Sequence, residues 1–432
     1  MRAGSVAVMG VAAVLLAPPA RAQQPSVTLA EALRLAEQVQ PSVIQARGQV
    51  RTAGANLRSA KGAYLPSLAL SGSGNESYSG AGSRVDPVTN QIVGRNWTTS
   101  AGASLSASWP LFTGFRRRAD ARAARATLNA ADAGLVDARY QLRLTTTNQF
   151  FDALAAAQLV AVREASVREA EEQLRAAAAR LRAGTATRAD TLTSRVNLGT
   201  AQVNLASAQA DLAGTEAALA RLVGRAGRVS AADDSSYYEL PMVDTTTLRT
   251  EAVQRSPSVQ AALANAQAAH AQVAAARAAY WPALTVGAST GYSGTQGTGT
   301  GFSNNSQLRL GLSWNIFDGF AREAQIATQE ANAEVAEAQA SDDARNVDAG
   351  VTTYLAQLDA AYASVAITQT SVVAAEENLR VVRERYQVGV ATIVDVLTAQ
   401  TALDQARVDA VNARFAYLRA KAQLEAFVGH PL

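Results

Sequence analysis

Trp109-Pro110-Leu111-Phe112-Thr113-Gly114-Phe115 and, 205 residues later, Trp314-Asn315-Ile316-Phe317-Asp318-Gly319-Phe320 are one motif written twice, Trp-x-x-Phe-x-Gly-Phe. A constant offset over such a distance marks an internal repeat. Working outward at the same offset, Gly184 matches Gly389, Asp190 matches Asp395 and Val223-Gly224 matches Val428-Gly429. Upstream the offset is 216: Pro41-Ser42-Val43 recurs as Pro257-Ser258-Val259, and Tyr64-Leu65-Pro66 as Tyr280-Trp281-Pro282. The register therefore changes once, between Pro66 and Trp109, where the first copy holds eleven extra residues. Insertions collect in exposed loops, so that stretch contains one.

The motif lies where the hydrophobic period changes. Before it the period is 2: Leu308, Leu310, Leu312, Trp314 and Ile316 alternate with Gln307, Arg309, Gly311, Ser313 and Asn315, and Leu284, Val286, Ala288 and Tyr292 alternate likewise. In the first copy Leu68 and Leu70 face Ala101, Ala103, Leu105, Ala107 and Trp109. Strands are expected at about 67–78, 99–109, 283–292 and 307–317, each close to the roughly ten residues of a transmembrane β-strand. The joining segments 79–98 and 293–306 are rich in Gly, Ser, Thr and Asn, as exposed turns are.

After the motif the chain turns helical. No proline falls between Pro110 and Pro241 or between Pro282 and Pro431, and both stretches are rich in alanine. Val160, Val167, Leu174 and Leu181 are spaced by seven, as are Val365, Val372, Leu379 and Tyr386, which is coiled-coil spacing. Each run breaks at Ala183-Gly184-Thr185 or Val388-Gly389-Val390 and then resumes, so each copy contains a helical hairpin turned at a glycine. The hairpins are expected at about 113–224 and 319–428, and an outgoing helix over 113–182 would run roughly 105 Å. That length predicts a long rod or tube.

The chain thus divides into a first repeat, 23–224, a linker, 225–246, and a second repeat, 247–432. Ahead of them Arg2, the apolar run Val6 to Leu16 and Ala20-Arg21-Ala22 have the layout of a secretory signal peptide over 1–22. With no cysteine in the chain, disulfides, thiolate nucleophiles and a lipidated cysteine are excluded. A net charge of +3 gives no footing for a nucleic-acid partner. The only histidines, His270 and His430, are far apart, and with lysine only at 61 and 421 no phosphate-binding Gly-x-x-x-x-Gly-Lys loop exists. No catalytic, metal or cofactor site is expected, and the chain is read as a passive structure rather than an enzyme.

Tyr64, Trp109, Phe112, Tyr280, Trp281, Trp314 and Phe317 gather where strands meet helices. They form either an interfacial aromatic girdle or the plug of a soluble core between sheet and coil. Four strands cannot close a barrel, and open edges in lipid leave backbone groups unsatisfied, so the subunit is expected to oligomerise. Two copies give eight strands, a barrel filled by its own side chains, whereas three give twelve and a lumen. Trimer is the smallest solution with a pore.

These residues resemble the TolC-like outer-membrane efflux channel family. The resemblance is carried by Val27-Thr28-Leu29-Ala30-Glu31-Ala32-Leu33 with Pro41 after it, by the Trp-x-x-Phe-x-Gly-Phe motif, and by Tyr386-Gln387-Val388-Gly389-Val390-Ala391-Thr392-Ile393-Val394-Asp395-Val396-Leu397. It implies a mainly α fold with a pair of membrane β-hairpins: a homotrimer whose twelve-stranded barrel in the Gram-negative outer membrane continues as a helical barrel in the periplasm. The implied partners are a periplasmic adaptor, an inner-membrane pump of RND, ABC or MFS type, and outer-membrane lipid. It further implies an acidic ring at the periplasmic pore entrance, falling here on Asp190 and Asp395, with Tyr386 locking the closed entrance against Asp190. The hairpin turns that receive the adaptor match Gly184, Thr185, Gly389 and Val390. The family's arginine in a second closing link falls at Ala391, and a further acidic position at Thr398, so the pattern is incomplete at the entrance. Thr187-x-x-Asp190 and Thr392-x-x-Asp395 also have the form of helix-capping boxes, a role compatible with the ring. A non-conducting trimeric coiled-coil tether fits the same pattern.

Overall fold

Proline starts the helices and ends the approach to the strands. In the computed structural model, which describes residues 25–79, 84–85, 88, 90, 92–93, 96–234, 237, 248–296, 302–430 and 432, Pro41 and Pro257 each occupy the first turn of a helix, where a missing N–H costs nothing. The expected signal peptide lies outside the described residues, as does most of the linker beyond Asp234. In order the elements are β1 (Ser26–Val27), α1 (Leu29–Val39), α2 (Pro41–Gly62), β2 (Ser67–Ser79), β3 (Arg84–Val85), β4 (Ile92–Val93), β5 (Asn96–Thr113), α3 (Arg116–Arg182) and α4 (Arg188–Val223). The linker contributes β6 (Ser230–Ala231), and the second repeat follows with α5 (Leu248–Arg255), α6 (Pro257–Arg277), β7 (Ala283–Gln296), β8 (Ser303–Ser313), α7 (Ala321–Gln387) and α8 (Ile393–Val428). Helices α3 and α7 have 67 residues each, roughly 100 Å at the α-helical rise.

The chain forms two compact units, and each draws on both repeats: residues 1–39, 146–240 and 362–419 make one, and 40–145, 241–361 and 420–432 the other. The second unit holds a four-stranded antiparallel sheet of order β2-β5-β7-β8, so the two hairpins join through β5 and β7, one strand from each repeat. Registers place the apolar residues on one face: Leu68 opposes Ala107, Leu70 opposes Leu105, Trp109 opposes Val286, and Leu284, Val286 and Ala288 oppose Leu312, Leu310 and Leu308. The opposite face carries Ser71, Ser104, Ser106, Ser289, Gln307 and Arg309. Pro110 cannot donate to the ladder, and the β5–β7 register shifts there. β8 stops at Ser313, short of Phe317, because Ser313 already opposes Ala283, the first residue of β7, and no backbone remains to pair with. In the same unit, Ile326, Ala333, Ala340 and Val347 are buried at spacings of seven along α7, and the alanines among them let helices approach closely.

The other unit packs the ends of the helical hairpins. Leu379, Val396, Ala399 and Leu403 form a buried cluster with Val372, Ala375, Val382 and Tyr386 against it. β1 pairs in parallel with β6, which fixes the start of the linker, and Tyr237 further along it meets Phe150 and Phe151 edge-on at 6.1 and 5.4 Å. At the C-terminus of α4, Gly224 has φ 72° and a Cβ there would lie 2.6 Å from Val39 Cγ1, so both conformation and space require glycine.

Candidate functional site

Both hairpin turns are built alike. Gly184 and Gly389 adopt φ 76° and 82°, the left-handed conformation that ends a helix. Their neighbours' N–H groups reach back to carbonyls left open by the helix end: Thr185 to Arg180 at 2.9 Å and Val390 to Arg385 at 2.9 Å. Gly184, Thr185, Gly389 and Val390 are all exposed.

Asp190 and Asp395 each complete a capping box. The Thr187 N–H donates to Asp190 Oδ2 at 2.9 Å while Asp190 N–H donates to Thr187 Oγ1 at 3.2 Å, and Thr392 and Asp395 repeat the exchange at 2.7 and 3.3 Å. The Thr392 backbone N–H, helped by its hydroxyl and by Arg385, holds the Asp395 carboxyl below the usual carboxylate range. Asp395 is therefore an exposed, ionised group beside the turn.

Among the described residues the Tyr386 hydroxyl makes no hydrogen bond to Asp190, whose carboxylate accepts from the Thr187 N–H. Instead Arg180 of α3 lies over the Tyr386 ring, with its guanidinium carbon 4.4 Å from the centroid, and donates to the Tyr386 carbonyl at 3.3 Å. The Tyr386 hydroxyl oxygen is buried with no partner among the described residues. Arg180 is a contact that the heptad pattern does not reveal, since it stands one residue before Leu181, the position equivalent to Tyr386.

A second tie between the hairpins lies further from the turns. Glu169 of α3 accepts from Arg407 at 3.0 Å, from Arg383 at 3.5 Å, and from Gln400 in a short contact. Burial pushes the Glu169 carboxyl up, but hydrogen bonds from Arg407 and Gln400 and the charges of Arg407 and Arg383 outweigh it and hold the group below the usual range. Beside it burial and the Glu169 charge push Asp404 up, against hydrogen bonds from Ser166 and Gln400. The cluster joins α3 to α7 and α8.

At the strand-to-helix corners the repeat is reproduced bond by bond. Trp109 Nε1 donates to the Tyr64 carbonyl at 3.1 Å and Trp314 Nε1 to the Tyr280 carbonyl at 3.2 Å. Arg117 lies over the Tyr64 ring at 4.8 Å and donates to the Leu111 carbonyl, while Arg322 lies over Tyr280 at 4.2 Å and donates to that of Asn315. Phe112 meets Phe115, and Phe317 meets Phe320, edge-on at 5.4 and 5.5 Å. Trp281 meets Phe115 in the same way. Gly114 and Gly319, and after them Phe115 and Phe320, all have φ between 61° and 70°, a costly conformation for phenylalanine that is nevertheless present in both copies. Tyr64, Trp109, Tyr280, Trp281, Trp314 and Phe317 are exposed, and Phe112 is half-buried.

The apolar sheet face beyond these corners is bare: Leu68, Leu70, Leu308, Leu310 and Leu312 are between 67% and 79% exposed. Among the described residues, the outer edges of β2 and β8 have no strand partner. No helix among the described residues is long and apolar enough to cross a membrane, and none of their His, Cys, Asp or Glu side chains group in threes around a possible metal.

The outer membrane protein TolC of Escherichia coli K12 is 30% identical over 128 residues, a match covering 29% of this chain and 26% of TolC, so the matched stretch spans about a quarter of that relative. Among solved structures, VceC of Vibrio cholerae superposes with TM-score 0.75 at 22% identity, covering 93% of this chain and 96% of VceC. The CmeC channel of Campylobacter jejuni gives 0.78 at 16% identity, covering 93% and 85%. These likenesses establish a shared fold. Residues 32–225 and 248–430, nearly the whole of both repeats, match the family described as outer membrane efflux protein, and to that family the chain belongs.

Proposed function

We propose that three copies close a twelve-stranded barrel in the outer membrane and form a passive conduit through it, with the helical hairpins as its periplasmic part. One observation carries this reading: the sheet has an exposed apolar face and two unpaired edges, which lipid and neighbouring copies would satisfy together. The polar Ser, Thr, Gly and Gln face then lines the lumen. The exposed aromatic corners serve as the girdle at the periplasmic interface, and their exposure counts against a soluble core between sheet and coil.

The hairpin turns Gly184-Thr185 and Gly389-Val390 are the surface for a periplasmic adaptor, through which an inner-membrane pump of RND, ABC or MFS type energises efflux; the chain contributes no energy of its own. Asp190, Asp395 and Tyr386 stand at the entrance, where the Arg180–Tyr386 contact ties the two hairpins of one copy and stands in for the arginine link missing at Ala391.

Planar-bilayer recording tests the conduit and its entrance together. The mature protein is expected to conduct and to be blocked by trivalent cations added from the hairpin side. Asp190→Asn with Asp395→Asn, which keeps an oxygen acceptor for each cap but removes the charge, is expected to weaken the block at least tenfold. An unchanged block would confine both aspartates to capping, and absence of current from a correctly assembled oligomer would favour the tether.

A further inference from the structure

The two strand-to-helix corners share a backbone and differ in charge. Around Arg322 the charges are balanced: Glu323 pairs with it at 3.1 Å, Asp318 Oδ2 accepts its N–H at 3.2 Å, and Arg277 pairs with Glu330 at 2.6 Å. At the equivalent positions of the first corner Thr113 stands for Asp318, and basic residues stand for Glu323 and for three alanines. Arg118 occupies the position of Glu323, Arg116 that of Ala321, Arg122 that of Ala327 and Arg58 that of Ala274, while Lys61 matches Arg277. Of these five, only Arg116 has an acidic partner among the described residues, an exposed contact with Asp120 at 3.7 Å.

The shared architecture does not need this charge. Arg117 makes the corner's contacts with Tyr64 and Leu111 without Arg118, as Arg322 makes those with Tyr280 and Asn315 in the second copy, where the Tyr280 hydroxyl also donates to Glu323 at 3.4 Å. Local electrostatics also oppose it. The first turn of α3 carries three consecutive arginines and no acid, at the end of a helix that favours negative charge, whereas the first turn of α7 carries Glu323. A local rule broken in one copy and obeyed in the other, with only the exposed Arg116–Asp120 contact among the described residues to compensate, points to compensation from outside.

What lies outside follows from position. The corner adjoins the exposed apolar sheet face and the exposed Tyr64, Trp109 and Trp281. Arg58 stands six residues before Tyr64, and Arg122 five after Arg117, which places all five basic residues within roughly 9 Å of the corner along the helix axes. The polar headgroup layer extends about 5 to 8 Å beyond the hydrocarbon on each side, and arginine and lysine side chains add several ångströms of reach.

We propose that the first-repeat corner is a docking surface for the phosphate headgroups of anionic phospholipid, with Arg58, Lys61, Arg116, Arg118 and Arg122 as its contacts, and that the second corner is not. The inference rests on the outer-membrane barrel reading and specifies which lipid chemistry the barrel holds and where.

The test uses the mature chain extracted in detergent, exposed to equal amounts of phosphatidylglycerol and phosphatidylcholine, with retained lipid counted by native mass spectrometry. A variant carrying Arg116→Ala, Arg118→Glu and Arg122→Ala gives the first corner the residues of the second. It leaves Arg117 in place and suits the helix dipole better, so it is expected to fold. The unaltered protein is expected to prefer phosphatidylglycerol, with the preference falling at least tenfold in the variant, each basic group near the surface contributing about fivefold. The preference is also expected to vanish in about 0.5 M salt. Equal preference in both proteins would overturn the proposal, as would displacement of phosphatidylglycerol by an equal concentration of inorganic phosphate, which would assign the surface to a free anion. Failure of the unaltered protein to retain either lipid would instead fail the barrel reading itself.

Discussion

Leu308→Arg removes the protein from the outer membrane. Leu308 sits at the middle of β8, opposite Ala288 on the apolar face, and is 78% exposed. An arginine facing lipid at the midplane of a barrel costs about 2 to 4 kcal/mol, and a trimer would carry three, roughly 6 to 12 kcal/mol in all. That is comparable to the whole stability of many domains. The neighbouring residues supply the control. Arg309 is already an arginine one position away, on the opposite face, and Gln307→Arg adds a second one there without entering lipid. Fractionation is expected to show Leu308→Arg depleted from the outer membrane and Gln307→Arg at its normal level. Equal depletion of both would mean that the strand tolerates no added charge on either face, and equal retention that Leu308 does not face lipid.

The second large effect is expected at Glu169. This one carboxylate takes hydrogen bonds from Arg407, Arg383 and Gln400, three side chains on two helices. Glu169→Ala leaves Arg383 and Arg407 facing one another, although Glu376 still pairs with Arg407 at 3.2 Å. Removing one partner of a fully buried pair costs about 3 to 5 kcal/mol; here both partners retain some exposure, so about 2 kcal/mol is expected. Hydrogen exchange at α8 amides near Gln400 should then accelerate roughly thirtyfold, while exchange in the sheet is unchanged. The pH dependence follows from the same site. Because its folded-state pKa lies below the unfolded value near 4.3, Glu169 stabilises the hairpins in full above that value and loses its contribution as pH falls through the lower folded one. Exchange in the unaltered protein should therefore approach that of the variant only as pH falls below the ordinary glutamate range. An unchanged rate at neutral pH in Glu169→Ala would show that the heptad core alone holds the hairpins together.

As an outer membrane efflux protein, the chain displays much of its fold in sequence because the fold is periodic. Strand alternation places Leu68, Leu105, Val286 and Leu310 on one face, heptads place Val365 and Leu379 in cores, and positive φ explains Gly184 and Gly389. Period is a local property, and what it misses is non-local. The pairing of β5 with β7 joins the two repeats, and nothing in either strand names the other as its partner. The end of β8 is set by where β7 begins, so the alternation of Trp314 and Ile316 continues past the last backbone pair.

The hairpin turns are legible in the sequence only in outline. The capping boxes of Asp190 and Asp395 are visible because Thr-x-x-Asp is a short motif with a fixed geometry. Arg180 over Tyr386 and the Glu169 cluster are not, because polar pairs between helices far apart in sequence have neither spacing nor period. Alternation leaves the aromatic corners between two readings, and the exposure of Trp281, Trp314 and Phe317 supports the proposed girdle, since a core plug would bury them. The basic excess at the first corner needed both kinds of evidence. The repeat alignment shows that the charges differ, and the contacts shared by Arg117 and Arg322 show that the corner keeps its backbone ties without the acid at 323.

The central claim is that the bare sheet face and its two open edges are completed by lipid and by two further copies. Its most direct test is the mass of the mature protein extracted from the outer-membrane fraction in mild detergent, after subtraction of bound detergent. The account predicts three chains per particle in that fraction. A single chain, recovered in the soluble periplasmic fraction, would contradict it and would make the alternating segments ordinary hairpins of a periplasmic coiled-coil protein.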